Sequence, residues 1–510
     1  MPMQYDSILL AEMTPDSSDF QKNGLVLASN VIPTDAGWRE IKGRLALLTT
    51  PISATTCGYF SDPAGLIYIG SQKRLFVYND SVVGITDVSN GGTDYPVCTA
   101  WRFVRYGPTV VAAANNASTP LQKRLTTGGT FTDLVTSADR PVPAHLAVCR
   151  SHLIGANILG GAGVYATAQP NQYAWCARSN ASTWTPGTDR AGFALLVDDD
   201  GDSITAAIGF TDFALLFQGY GVTRLSYTGG DLVWQPDKIA SGAFGLSNVA
   251  WAGSLVRAGR DVYYWSNAGP AVVTNAESAQ LIGGARWRRF LMDSFQTYSA
   301  DRLTQIVGSY DADMHQVIWT YKAIAVAAQV QAVYDISTDR LSVVAGEDAL
   351  SGGNQVLGLA HSRSGVSSFP LDRLRNIEFD TPTGNLTISA YTNLARSLPA
   401  TLTSNIWRPS SGKRAELHGV RIVWRCNLRG GTLPTLTLSI DYSDDPLMNT
   451  VTTINLPTSL ADRDGFISSA SFPLVAGNYR FSVKVPSMSL PSIAELTALE
   501  IAYQDGTSFF

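Results

Sequence analysis

The chain alternates short apolar runs with clusters of turn-forming residues. AGLIYIGSQKRLFVYN (Ala64 to Asn79) reads as two strands around Gly70-Ser71-Gln72, and GPTVVAAANNASTPLQKRL (Gly107 to Leu125) turns at Asn115-Asn116. CRSHLIGANI (Cys149 to Ile158) opens a third unit that returns at NQYAWCA (Asn171 to Ala177). TDFALLFQGYGVTRLSYTGGD turns at Gly219-Tyr220-Gly221, and RDVYYWSNAGPAVV (Arg260 to Val273) turns at Ser266 to Pro270. DMHQVIWTYK with QAVYDISTDRLSVV, then NQVLGLAHSRSGVSSF (Asn354 to Phe369), continue the series. Apolar, β-branched and aromatic runs bounded by Gly, Asn and Asp are the signature of hairpins.

These hairpins start roughly 40 to 60 residues apart, near the spacing of four-stranded propeller blades. The repeat is one of hydropathy, not of a WD40 or kelch motif. It predicts an all-β chain: an irregular β-propeller of six or seven blades over residues 41–371. After about Leu371 the strands become longer and cleaner (NLTISAYT, AELHGVRIVWRC, TLTLSIDYS, GNYRFSVKV, ALEIAYQDG). Alternation such as Leu436-Leu438-Ile440 marks half-buried antiparallel strands, so residues 372–510 are expected to form a β-sandwich. Residues 1–40 carry little periodicity and read as an arm that closes the ring or docks elsewhere. One helix is expected, in GARWRRFLMDSFQ (Gly283 to Gln296), where Trp287, Phe290, Leu291 and Phe295 fall near helical spacing.

In RDVYYWSNAGPAVV, Val262 and Tyr264 point to one face of a strand while Tyr263 and Trp265 point to the other. Apolar groups on both faces predict a strand covered twice, as between two neighbouring blades. Tyr264, Trp265, Trp101 and Phe103 are accordingly expected in blade cores.

Composition supports this reading through what it lacks. Charged residues make up 15% of 510, against a typical share of about 25%. A net charge of −5 argues against a protein that grips nucleic acid through a basic surface. Cys57, Cys98, Cys149, Cys176 and Cys426 lie far apart with no CxxC, so buried free thiols are expected. MPMQYDSILLAEM has no basic segment leading into an apolar core, so no signal peptide is read, and no run reaches about 18 apolar residues.

Candidate chemistry is thin. LLVDDDGDSIT gathers Asp198, Asp199, Asp200 and Asp202 around Gly201, but Gly209 stands where a calcium loop would place its bidentate Glu. A solvated acidic turn is the expectation. RSNASTWTPG (Arg178 to Gly187) faintly resembles a sialidase Asp box without its Asp and Gly. His145, His152, His315, His361 and His418 have no metal-binding spacing, and neither a GxSxG elbow nor a P-loop occurs. Cys149 and His152, three apart, read as a structural thiol and a turn histidine. No catalytic, metal or cofactor residue is therefore expected. ARWRRF brings Arg286, Arg288 and Arg289 around Trp287; the bland reading is a solvated helix face with Trp287 turned into the core, the main alternative is a subunit or partner contact, with Trp38 a further candidate, and contact with DNA is a third.

Several segments resemble the β-propeller tail hub or nozzle proteins of short-tailed bacteriophages. The resemblance runs in order through LASNVIPTDAGWREIKG, TAWRFVRYGPTVVAAANN, DRPVPAHLAVCRSHLIGANI, AWCARSNASTWTP, DDDGDSITAAIGFTDFALLFQGYGVTRLSYTGG, RDVYYWSNAGPAVV, LIGGARWRRF and the terminal ALEIAYQDG. It covers most of residues 25 to 370 and the last strand, while 372 to 500 matches no family pattern. It implies a structural virion protein, a ring (usually a homohexamer) below the head-to-tail adaptor, assembled in the host cytoplasm. The ring would build the distal DNA-exit channel, anchor tail fibres or spikes, and perform no catalysis. Genomic DNA would pass without sequence-specific binding, through a lumen expected to be repulsive since tight phosphate contact would retard it. The competing reading is a carbohydrate-binding or carbohydrate-active propeller serving as a receptor-binding tail component. A generic extracellular repeat protein is a third.

Overall fold

A computed structural model describes the chain except residues 1, 18–22, 36, 42–43, 52–55, 63–64, 80, 136, 197–202, 220, 231, 242–251, 267, 296–305, 313, 323–328, 345–353, 362–373, 381–384, 392–398, 410–413, 429–434, 446, 449, 460–466, 469–473, 486–491 and 506–510. The described chain is built almost wholly of antiparallel strands. Successive runs of sequence form four-stranded meanders, in which each strand pairs with the next. Unit one comprises Thr56–Ser61, Leu66–Ser71, Leu75–Asn79 and Gly84–Asp87. Unit two comprises Trp101–Tyr106, Thr109–Ala114, Gln122–Leu125 and Gly128–Asp133. Unit three is Arg140–Cys149, His152–Ala162, Gln169–Trp175 and Gly192–Leu195; unit four is Ile204–Gly209, Phe213–Gln218, Gly221–Tyr227 and Trp234–Ser241. Unit five is Val256–Ala258, Asp261–Ser266, Gly269–Thr274 and Ser278–Leu281; unit six is Val307–Asp311, Gln316–Lys322, Gln329–Asp335 and Arg340–Val344.

Unit seven is completed from far away in sequence. Asn354–His361, Leu374–Asp380 and Asn385–Tyr391 take Arg44–Pro51 as their fourth strand, with Leu48 opposite Ile388. The first strands of neighbouring units lie side by side from unit one to unit four, and again from five through six and seven back to one. Units four and five meet through Ala252–Ser254 and through their outer strands. The result is a closed β-propeller, closed by one long-range strand pairing. The closing strand falls just after the segment expected to be the arm, while residues 1–40 themselves dock elsewhere.

The joints between units follow from the residues facing them. Trp101 enters unit one, donating its indole N–H to the Ser71 carbonyl at 2.7 Å. Gly70 is required there, because a Cβ would sit 2.4 Å from the indole ring. Phe103 lies in the same joint with Tyr68 and Phe131. Strand Asp261–Ser266 resolves the two-face pattern: Val262 and Tyr264 pack toward unit four beside Phe217, and Tyr263 and Trp265 toward unit six. Trp265 meets Trp319 edge-on at 5.7 Å and Tyr321 at 5.4 Å. Tyr264, Trp265, Trp101 and Phe103 are all buried, as expected for blade cores.

The C-terminal lobe is woven from both ends of the chain. Ala415–Leu428 and Ser492–Asp505 pair along their lengths, and Gln4–Leu9 and Trp38–Glu40 add to the outer side of the last strand. The facing sheet runs Leu25–Ser29, Ala400–Ser404, Asn478–Val485, Thr435–Ser443 and Thr452–Ser459. Leu436, Leu438 and Ile440 are fully buried between the sheets. Strands Leu374–Asp380 and Asn385–Tyr391, expected to open the sandwich at residue 372, belong instead to unit seven. Alternation alone does not distinguish the two settings, since both bury one face against a neighbouring sheet.

The two lobes share a sheet and a core. Leu25–Ser29 runs beside Arg340–Val344 of unit six through a parallel bridge, Ser29 to Val343, which makes one nine-stranded sheet. Asn30 N–H donates to the Val343 carbonyl at 2.8 Å, and Arg340 donates to the Thr34 carbonyl at 2.8 Å. One hydrophobic cluster runs from Trp265 and Trp319 through Trp38 to Trp407 and Phe481.

Candidate partner surface

The helix, here α1 (Gly284–Phe295), leaves unit five and lies against unit six. Gly283 precedes it with φ +84°, and a Cβ there would meet the Trp287 ring at 2.6 Å. That close approach lets Trp287 and Leu291 enter the core, with Trp287 5.8 Å from the Tyr334 ring. Asp16 of the N-terminal segment accepts from the Phe290 backbone N–H at 2.7 Å and also binds that of Arg289. Burial raises the Asp16 carboxyl above its ordinary pKa, against the lowering effect of these two N–H groups.

The three arginines of ARWRRF do different things. Arg286 turns inward, bonding Glu12 at 2.9 Å and Asp339 at 2.6 Å, so it ties α1 to the N-terminal segment and to unit six. Arg288 lays its stem over Gly269, and Arg289 points outward, 83% exposed, toward Asp293 one turn on. Trp38, expected beside them as a partner contact, is fully buried and donates its indole N–H to the Leu10 carbonyl at 2.8 Å. A contact surface made of these four residues does not form in this chain, since Trp38 lies in the core; Arg289 is the most exposed of them. Arg286→Ala is expected to cost about 1 kcal/mol, since it removes two charge-assisted bonds whose carboxylates are partly solvated and Asp339 keeps the Tyr334 hydroxyl. Arg289→Ala is expected to cost under about 0.5 kcal/mol, as an exposed i,i+4 pair does. Chemical denaturation of the two variants checks the contrast.

The exposed apolar groups lie elsewhere. Val82 (72% exposed), Val83, Leu125 and Leu232 sit at the turns between third and fourth strands of units one, two and four. In meanders whose first strands stand side by side, all such turns lie at one end of the ring. At that same end the corresponding turn of unit six carries Asp339, which is bound to Arg286. One part of this face is therefore tied to the N-terminal segment, and the part formed by units one, two and four presents aliphatic tips. Composition gave no signal for these positions, because single aliphatics in turns are ordinary in sequence and only their common face gives them meaning.

Interunit charge pairs rim the end where first strands turn into second strands. Arg105 bonds Asp62 at 2.6 Å, Arg260 approaches Asp212 at 3.4 Å, and Arg257 covers the Phe210 ring at 4.3 Å. Tyr106 donates to the Ser151 carbonyl at 2.8 Å, and burial raises its phenol far above the ordinary value.

Other sequence candidates resolve into structural roles. Cys98, Cys149 and Cys176 are buried, and burial pushes the Cys149 thiol up to about 12 and the Cys176 thiol up to about 11, which keeps those two protonated. His152 bonds the Cys176 carbonyl rather than Cys149. Trp184 of RSNASTWTPG is buried, donating to Ala181 O at 2.8 Å and pinning the turn, while its own carbonyl accepts from Tyr165. The Asp198–Asp202 stretch lies outside the described residues. Among the described residues no three His, Cys, Asp or Glu side chains come together as a metal site. No described helix is long and apolar enough to cross a membrane.

No family model matches the chain, and no curated protein does. Among solved structures it is similar to the Pan2 WD40 domain of Neurospora crassa, with 10% identity and a TM-score of 0.40 over 69% of this chain and 97% of that one. It is similar to the N-terminal domain of Nup159, with 10% identity and a TM-score of 0.39 over 71% and 98%. A chain of a mitotic checkpoint complex gives 8% identity and 0.41 over 70% and 94%. The propeller assignment rests on this chain's own strand pairing.

Proposed function

We propose that this chain is a structural virion protein, a subunit of the ring-shaped tail nozzle or hub of a short-tailed bacteriophage. The observation that carries the reading is where the family-like segments fall. TAWRFVRYGPTVVAAANN supplies the first two strands of unit two, and DRPVPAHLAVCRSHLIGANI those of unit three. The Asp198 to Gly230 stretch supplies the first three strands of unit four, and the Arg260 run the middle hairpin of unit five. LIGGARWRRF then leads into α1, and ALEIAYQDG ends the strand that holds Gln4–Leu9. Their shared order along the chain runs through units two to five in turn.

The build suits a ring subunit. A shared sheet and a shared core join propeller to sandwich, as a channel wall under load requires. The aliphatic tips Val82, Leu125 and Leu232 offer contacts for the neighbouring subunit. The ring would be a homohexamer bound to the adaptor above and to fibres or spikes, passing DNA without sequence reading and catalysing nothing. A carbohydrate-binding propeller is less well supported. Sugar faces are gripped by clustered exposed aromatic rings, whereas all nine tryptophans with described side chains are buried and the exposed rings Tyr5 and Phe193 lie on different lobes.

Mass photometry of the purified chain at micromolar concentration is expected to give a closed oligomer. The triple variant Val82→Ser, Leu125→Ser, Leu232→Ser should keep the melting temperature while shifting the mass toward monomer. A wild-type monomer that binds glycans on an array would overturn the proposal in favour of the receptor-binding reading.

A further inference from the structure

His152 begins the second strand of unit three and is fully buried at the joint with unit four. Its ring lies 5.7 Å from the Tyr227 ring and 5.7 Å, edge-on, from Trp234. Nδ1 stands 2.8 Å from the Cys176 carbonyl, which can only accept, so Nδ1 carries the hydrogen. Nε2 is then a bare lone pair, buried and without a hydrogen-bond partner among the described residues. The Trp234 indole N–H is likewise buried without one. Tyr227 and Trp234 flank the turn between the last two strands of unit four, the turn that carries exposed Leu232.

We propose that His152 is an acid-sensitive latch on the joint between units three and four, which opens when Nε2 takes a proton from solvent. The added charge has no acceptor in an aromatic slot, so the imidazolium is better hydrated with the joint parted. The surrounding groups oppose protonation on balance. From the loop after Trp175, Arg178 and Arg190 repel the cation while Asp189 favours it, and the Cys176 carbonyl favours it through Nδ1. Arg190 also donates to Tyr227 Oη at 3.2 Å, which ties the same loop to unit four. From unit two, Tyr106 reaches the Ser151 carbonyl and stays protonated, adding no charge. Burial is the largest influence and holds the His152 imidazole below its ordinary pKa.

The sign follows. A histidine whose pKa is lowered in the closed joint leaves stability intact above the open-state value of about 6.5 and erodes it as pH falls below that. The open fraction should rise about tenfold per pH unit through that window, per histidine. His145 is also held low, to about 3, by burial and the Arg102 charge, so it must be separated from His152. This inference concerns the propeller itself and is independent of what the ring is built into.

Hydrogen exchange of the full chain at about pH 7.5 and about pH 5, corrected for intrinsic rates, reads the joint directly. In the wild type, protection over residues 221–241 should fall by at least about tenfold on acidification. His152→Phe, or His152→Gln if the former does not fold, should remove that pH response, and His145→Gln should leave it in place. An equal acid response in wild type and His152 variants, or no response over 221–241, would overturn the latch.

Discussion

Trp265→Ala is expected to destabilise the protein by roughly 3–5 kcal/mol, the range for emptying a large aromatic site in a close-packed core. The indole is fully buried, and its backbone N–H donates to Ser254 Oγ at 2.9 Å. Its neighbours are held independently: Trp319 donates its indole N–H to the Ser254 carbonyl at 3.0 Å. Such a framed site collapses poorly, which places the cost high in the range. Because units five and six meet here, loss should appear as an earlier global transition, not as a local change. Equilibrium denaturation checks it. An unchanged midpoint with a lost ligand would make the aromatic run a binding platform after all.

Trp38→Ala carries the second large effect, again roughly 3–5 kcal/mol. Trp38 sits where the N-terminal segment, the last strand and the sandwich core meet, opposite Leu496 in the ladder. Its loss would also leave the Leu10 carbonyl without its indole donor. A partner-facing tryptophan would behave oppositely, since removing it would spare the melting temperature and weaken assembly. Measuring both quantities on one variant separates the two roles.

Much of the fold was legible because period and turn chemistry act locally. The two-face pattern of Val262 to Trp265, the turn at Asn115 and the helix after Gly283 are all dictated by near neighbours. Long-range pairing was not legible. Arg44–Pro51 closes unit seven opposite Asn385–Tyr391, and nothing in either segment names the other. The same limit hid Gln4–Leu9 against the last strand, which drew residues 1–40 into the sandwich instead of the ring. The arginine cluster was legible only in part, for a different reason. A charge cluster such as ARWRRF looks alike whether its members meet solvent or, as Arg286 does, two carboxylates from distant segments. His152 was read as a turn histidine; it begins a strand, and its burial at an interunit joint depends on Tyr227 and Trp234, 75 and 82 residues onward.

Single-particle electron microscopy of the purified protein separates a ring subunit from a free-standing propeller. End-on averages should show a closed ring of several copies around an open channel, each copy a propeller joined to a sandwich. Isolated two-lobed particles at all concentrations, with no ring and no channel, would contradict the ring assembly.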